Sequence, residues 1–127
     1  MAIDTNRLTD LFRGDAALAS LLEQSEEVCV PLPVLAELKA GILSGTRQQA
    51  NEAQLAAFLS KPTVRLVMPI RETADQYARL YGQLRRAGTP VPINDLWIAA
   101  LCLEHNLTLI TRDHHFTYIP QLLQVAG

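Results

Sequence analysis

Apolar and polar positions along the chain alternate between two rhythms. Short apolar runs rich in β-branched residues occur at Met1-Ala2-Ile3, Val28–Leu32, Val64–Met68 and Leu107–Thr111. Between them, apolar residues recur three and four apart, the spacing of a helix with one buried stripe. The first such stretch runs from Asn6 to about Arg13, with Leu8, Leu11 and Phe12 on one face and Gly14 as a stop. Asp15 is placed to cap a second, carrying Leu18, Leu21 and Leu22. Pro33 sits in the first turn of a third that repeats Val34, Leu35, Leu38 and Ile42 up to Gly45, and a fourth covers Ala50–Leu59. A long helix starts at Arg71 and ends at Gly88, with Ala74, Tyr77, Ala78, Tyr81 and Leu84 expected inward. Pro90-Val91-Pro92 then leads into a helix from about Asp95 to His105, closed by Asn106 in a left-handed cap. The tail from Phe116 is irregular, with a short fifth strand around Leu122–Val125.

Strands alternating with helices predict an α/β fold: three layers, α/β/α, around a parallel sheet of four or five strands. Val28–Leu32 is apolar throughout, as a strand covered on both faces should be. No repeat or linker interrupts residues 1–127, so the chain reads as one domain, a length that fits one core. No apolar run is long enough to span a bilayer and no leader precedes the first helix, so a cytoplasmic location is expected. Cys29 and Cys102 have apolar neighbours and read as core residues rather than a disulfide.

The topology changes the meaning of four acids. Function in open parallel sheets collects beyond the carboxyl ends of the strands. Asp4 follows the first strand, Glu37 lies early in the helix after the second, and Asp113 follows the fourth. Asp95 opens a crossover helix, which runs antiparallel to the strands, so its start lies at the same edge. Four carboxylates gathered there would raise one another's pKa unless a cation joins them. Oxygen ligands, with no paired Cys or His spacing for zinc, favour Mg²⁺ or Mn²⁺. The matching chemistry is phosphodiester hydrolysis by water, without a covalent intermediate. Each acid also has an ordinary reading: Asp4 and Asp95 as helix caps, Asp113 as a turn residue, Glu37 as an exposed helical carboxylate beside Lys39.

The formal charge of −2 does not by itself announce a nucleic-acid partner, but of eleven cationic residues only Lys39 and Lys61 are lysines. Arginine suits bidentate phosphate contacts, and Arg85-Arg86, Arg7, Arg13 and Arg112 form either a local phosphate-binding patch or an ordinary solvated surface; Arg7, Arg13 and Arg112 are the candidates should the partner be a nucleic acid.

Asp4-Thr5-Asn6, Ala36–Gly41, Asn94–Ala100 and Thr111–Phe116, in that order and spacing, resemble the PIN-domain ribonucleases, and within them the VapC toxins of bacterial toxin–antitoxin pairs. The resemblance implies an endoribonuclease with Asp4, Glu37, Asp95 and Asp113 holding Mg²⁺ or Mn²⁺. It implies that Thr111 supports the site through its hydroxyl and that Asn6 orients Asp4. It also implies an RNA substrate, a homodimer and a small antitoxin partner. A housekeeping RNA-processing nuclease and a non-catalytic RNA-binding module of the same family remain open. A phospho-receiver fits poorly, because no lysine follows the last strand, and a haloacid-dehalogenase-type phosphatase would need an acid where Asn6 stands. The family's first apolar run is longer than Met1-Ala2-Ile3: either the first strand is very short or the natural start lies upstream. Ile3 and Asp4 are needed at the sheet centre, so the strand is expected to form.

Overall fold

A computed structural model describes residues 1–127. In chain order it contains β1 (Ala2–Ile3), α1 (Thr5–Phe12), α2 (Ala16–Glu23), β2 (Val28–Pro31), α3 (Leu32–Ser44), α4 (Gln48–Leu59), β3 (Val64–Val67), α5 (Arg71–Ala87), α6 (Ile93–Glu104), β4 (Leu109–Ile110), a 3-10 turn (His114–Tyr118) and β5 (Gln124–Val125). The five strands form one sheet in the order β3-β2-β1-β4-β5. Every pairing is parallel, and six helices flank the sheet. None of these helices is long and apolar enough to cross a membrane.

β1 is two residues long and is nonetheless the central strand. Ala2 pairs with Cys29 on one side and Leu109 on the other, and Ile3 with Ile110. Ala2 and Ile3 are fully buried, which is how so short a run holds the middle of the sheet. The chain winds outward from β1 through β2 to β3, then returns past β1 to β4. The winding direction therefore reverses between β1 and β4, and the crevice beyond their carboxyl ends is where such sheets bind ligands.

β2 is buried on every residue, whereas edge strand β3 exposes Arg65 and Leu66. Both cysteines are buried and free.

Three expectations are corrected. α6 begins at Ile93, after Pro92, and Asp95 is its third residue rather than its cap. β4 is confined to Leu109–Ile110. α5 buries Thr73, Leu80 and Leu84, while Ala74, Ala78 and Tyr81 face solvent. Two neighbouring stripes on that helix are both small or apolar, and periodicity alone does not choose between them. The choice is made by α6: the Thr73 hydroxyl donates to Glu104 at 2.6 Å, and Tyr77 stacks on Trp97 at 4.4 Å between centroids.

Candidate active site

The centre of the carboxyl edge is Asp4, the residue between β1 and α1, 4% exposed. It caps α1, accepting from the backbone N–H of Arg7 at 3.0 Å. Its other oxygen accepts from the Thr111 hydroxyl, just past β4. The Thr111 hydroxyl in turn accepts from the Asp113 backbone N–H at 3.0 Å, so one side chain ties together the ends of both central strands. Asn6 is exposed and makes no hydrogen bond to Asp4, contrary to expectation; the Arg7 amide and Thr111 hold that carboxylate instead.

The other acids converge on Asp95. Burial pushes its carboxyl up from 3.8 to about 6, and the charges of Asp113, Glu37 and Asp4 push in the same direction, opposed only by His115. Asp4 is raised too, first by burial and further by Asp113, against the two hydrogen bonds that favour its ionised form. The topology thus brings together residues separated by up to 109 positions (Asp4 and Asp113). Capping and site-building are not alternatives here, because Asp4 caps α1 and faces Asp95 at once.

His115 belongs to this group although neither spacing nor resemblance singled it out. Its Nδ1 lies 2.9 Å from Asp113 Oδ1 and 3.8 Å from Asp95 Oδ2. Its backbone N–H also donates to Asp113 Oδ1 at 2.9 Å. Ligand atoms of Asp113, His114 and His115 all lie within 4.8 Å of one another. The signal in the sequence was a histidine two residues after an acid, the reach of an Asx turn.

No Lys or Arg is ion-paired with Asp4, Glu37, Asp95 or Asp113. Glu37 Oε1 is buried without a hydrogen-bond partner, a position that costs free energy unless something binds it. An oxygen-rich donor set with an orphaned carboxylate oxygen fits a hard divalent cation.

Of the three candidate RNA-binding arginines, Arg7 is a correction. It is 1% exposed, its guanidinium 2.8 Å from Asp10 and 3.3 Å from Asp15, and it donates to the Gly127 carbonyl at 3.1 Å. It is a buried scaffold cation. Arg13 and Arg112 are exposed.

A family model described as the PIN domain matches residues 1–122, and the chain belongs to that family. Ribonuclease VapC5 of Mycobacterium tuberculosis is 33% identical over 91 residues, covering 72% of this chain and 67% of the relative. The crystal structure of VapBC2 from Rickettsia felis, bound to a DNA fragment from their promoter, superposes with a TM-score of 0.88 at 25% identity, over 98% of this chain and 96% of that one. A toxin–antitoxin complex from Klebsiella pneumoniae superposes with a TM-score of 0.70 at 25% identity, covering 96% of this chain and 94% of that one.

Proposed function

We propose that the chain is a divalent-metal-dependent endoribonuclease that hydrolyses RNA phosphodiester bonds, and that it serves as the toxin of a toxin–antitoxin pair. The observation that carries the chemistry is the convergence of Asp4, Glu37 and Asp113 on Asp95 with no cationic side chain paired to any of them. Membership of the PIN family and relatives that are ribonucleases support the reaction class.

Asp4, Glu37, Asp95 and Asp113 would hold the cation, and their hard oxygens suit Mg²⁺ or Mn²⁺. Bound there, it supplies positive charge against the phosphodiester oxygens and acidifies water. The chain's own residues do the rest. Thr111 and the Arg7 amide fix Asp4; His115 fixes Asp113. The Asp95 side chain makes no hydrogen bond to the protein, so its oxygens are left to the cation, and a carboxylate of the same set takes the proton of the attacking water.

The resemblance to toxin–antitoxin complexes supports a small antitoxin as partner. A homodimer belongs to the same reading. The exposed Ile70, Tyr81 and Ile93, beside the α5–α6 contact, offer an apolar surface for a second copy.

The test is purified protein with an RNA pool, with and without Mg²⁺ or Mn²⁺. Cleavage that EDTA abolishes and either metal restores is the expected result. Cleavage that persists in EDTA would overturn the mechanism.

A further inference from the structure

We propose that Asp113, His114 and His115 form a second cation site, one that takes Zn²⁺ and switches the nuclease off. The inference rests on the nuclease reading above for its consequence, though not for the binding itself. Adjacent histidines point in different directions along a regular helix or strand, so the pair carries no zinc pattern in the chain. The turn after β4 changes that. Asp113 caps the 3-10 turn, and its Oδ1 accepts from the His115 backbone N–H at 2.9 Å, which folds the carboxylate back over the residues that follow it. His115 Nδ1 then lies 2.9 Å from Asp113 Oδ1, and His114 Nδ1 lies 3.9 Å from the same oxygen. The two imidazole rings are 4.2 Å apart between centroids and tilted by 32°. One donor atom from each of the three residues lies within 4.8 Å of the other two.

Tetrahedral zinc, with bonds of about 2.0–2.2 Å to nitrogen and oxygen, holds its ligand atoms roughly 3.3–3.6 Å apart. The two measured pairs bracket that separation. The remaining pair closes by rotation of His114, whose side chain is 73% exposed. Asp95 Oδ2, 3.8 Å from His115 Nδ1, is in reach of the fourth position. No guanidinium competes for the place: Arg112 donates to the Gly127 carbonyl at 3.4 Å, and Arg7 is engaged by Asp10 and Asp15. The donors face a hollow of about 300 Å³ lined by polar residues alone, through which an ion reaches them from solvent.

The donor set differs in kind from the four acids. Imidazole nitrogen does not suit Mg²⁺, which takes oxygen ligands, and it does suit Zn²⁺, which stands above Mn²⁺ in the ordinary affinity order. The two sites share Asp113. An ion on the histidine side draws that carboxylate away from the other acids and sets a second positive charge beside the first, so Zn²⁺ and the hard cation exclude each other. Hydrolysis needs an ion that keeps water among its ligands. A zinc closed by protein side chains supplies none.

Zinc binding is measured by competition with a chromophoric chelator and by the visible absorption of the Co²⁺-loaded protein; cleavage of an RNA pool is followed separately in Mn²⁺ with rising Zn²⁺. The wild type is expected to bind Zn²⁺ more tightly than Mn²⁺ and to show the intense visible bands of four-coordinate Co²⁺. It should lose Mn²⁺-dependent cleavage as Zn²⁺ rises and regain it in excess Mn²⁺. His114→Ala removes an exposed ligand that the hydrolysis does not use. The variant should cleave as the wild type does in Mn²⁺, bind Zn²⁺ about tenfold more weakly or worse, and need correspondingly more Zn²⁺ to be inhibited. Equal zinc affinity in the two proteins overturns the proposal. So does zinc that binds through His114 and leaves Mn²⁺-dependent cleavage untouched. Zinc binding that depends on His114, in a protein that cleaves no RNA with any metal, upholds the site and sinks the nuclease reading instead.

Discussion

Two charged clusters grow from opposite sides of the start of α1, and they are balanced in opposite ways. Arg7 contributes to both: its backbone N–H holds Asp4, while its side chain turns away to Asp10 and Asp15. In the second cluster a buried guanidinium meets two partly exposed carboxylates. Asp15 is held below its ordinary pKa, first by the Leu18 N–H and then by the charge of Arg7. Around Asp95 the sign reverses, because burial and three like charges push its carboxyl up to about 6. One cluster is electrostatically closed apart from the Arg7 Nε, which is buried without a partner. The other is left open, with the Glu37 oxygen orphaned. A chain keeps an uncompensated set of carboxylates only where something outside the chain completes it.

The sharpest way to break this contrast is to neutralise one member of each cluster. Asp4→Asn or Asp95→Asn should cut RNA cleavage by roughly two orders of magnitude or more, since losing one group that stabilises transition-state charge costs about 3–4 kcal/mol. Circular dichroism should show both variants folded. Full activity in Asp95→Asn would remove Asp95 from the machinery. Arg7→Met should act on the fold instead. Breaking a buried pair costs about 3–5 kcal/mol; Asp10 and Asp15 are 42% and 26% exposed and can rehydrate, which brings the expected loss to about 2–4 kcal/mol. Thermal melts would show a drop of roughly 6–15 °C. A shift of under a degree would mean that the Arg7 cluster is not a structural one.

The same contrast explains what was legible in the sequence. The open cluster could be read because each acid stands at a predictable place: after a strand, or in the first turns of a helix that starts at the carboxyl edge. Parallel topology converts those chain positions into one rim. The closed cluster could not. Arg7 reads as a surface cation on a helix, and only the packing of α1 against α2 and the chain end at Gly127 buries it. Asn6 failed for a related reason. The end of a strand directs Asp4 at the crevice, but which neighbour fixes it depends on how β4 sits beside β1, and that pairing puts Thr111 there. The α5 face was ambiguous because Ala74, Ala78 and Tyr81 are as apolar as the stripe that packs, and only contact with α6 distinguishes them.

His115 tests whether the open cluster extends beyond its carboxylates. It does not line up with a negative charge of its own; it holds Asp113 through both backbone and ring. Outer groups that orient a metal ligand are typically worth 10–100-fold in affinity. His115→Ala keeps the backbone bond and loses the ring, so Mn²⁺ affinity measured calorimetrically should fall by about tenfold. His115→Asn, whose amide can still donate to Asp113, should recover part of it. Equal affinity in all three proteins would confine the site to the four acids.

The smallest effect comes from the cost of the open cluster itself, measured on metal-free protein. Asp95 has a folded pKa of about 6 against 3.8 as its ordinary value, so the folded state holds the proton more tightly than the unfolded chain. By linkage, its contribution favours the fold at pH below about 4, declines as pH rises through the window between those two values, and is fully lost above about 6. Asp95→Asn carries no charge to bury. In EDTA at neutral pH the variant should therefore be more stable than the wild type, by about 1 kcal/mol after allowing for residual solvation, or roughly 3–5 °C in melting temperature. At pH 4 the two proteins should melt together, because Asp95 is then largely protonated in the fold. Saturating Mn²⁺ should reverse the order at neutral pH, since only the wild type keeps all four carboxylates for the ion. A variant that is less stable than the wild type in EDTA at pH 7 would show that Asp95 is paid for by a contact within the fold, and that the cluster around it is closed after all.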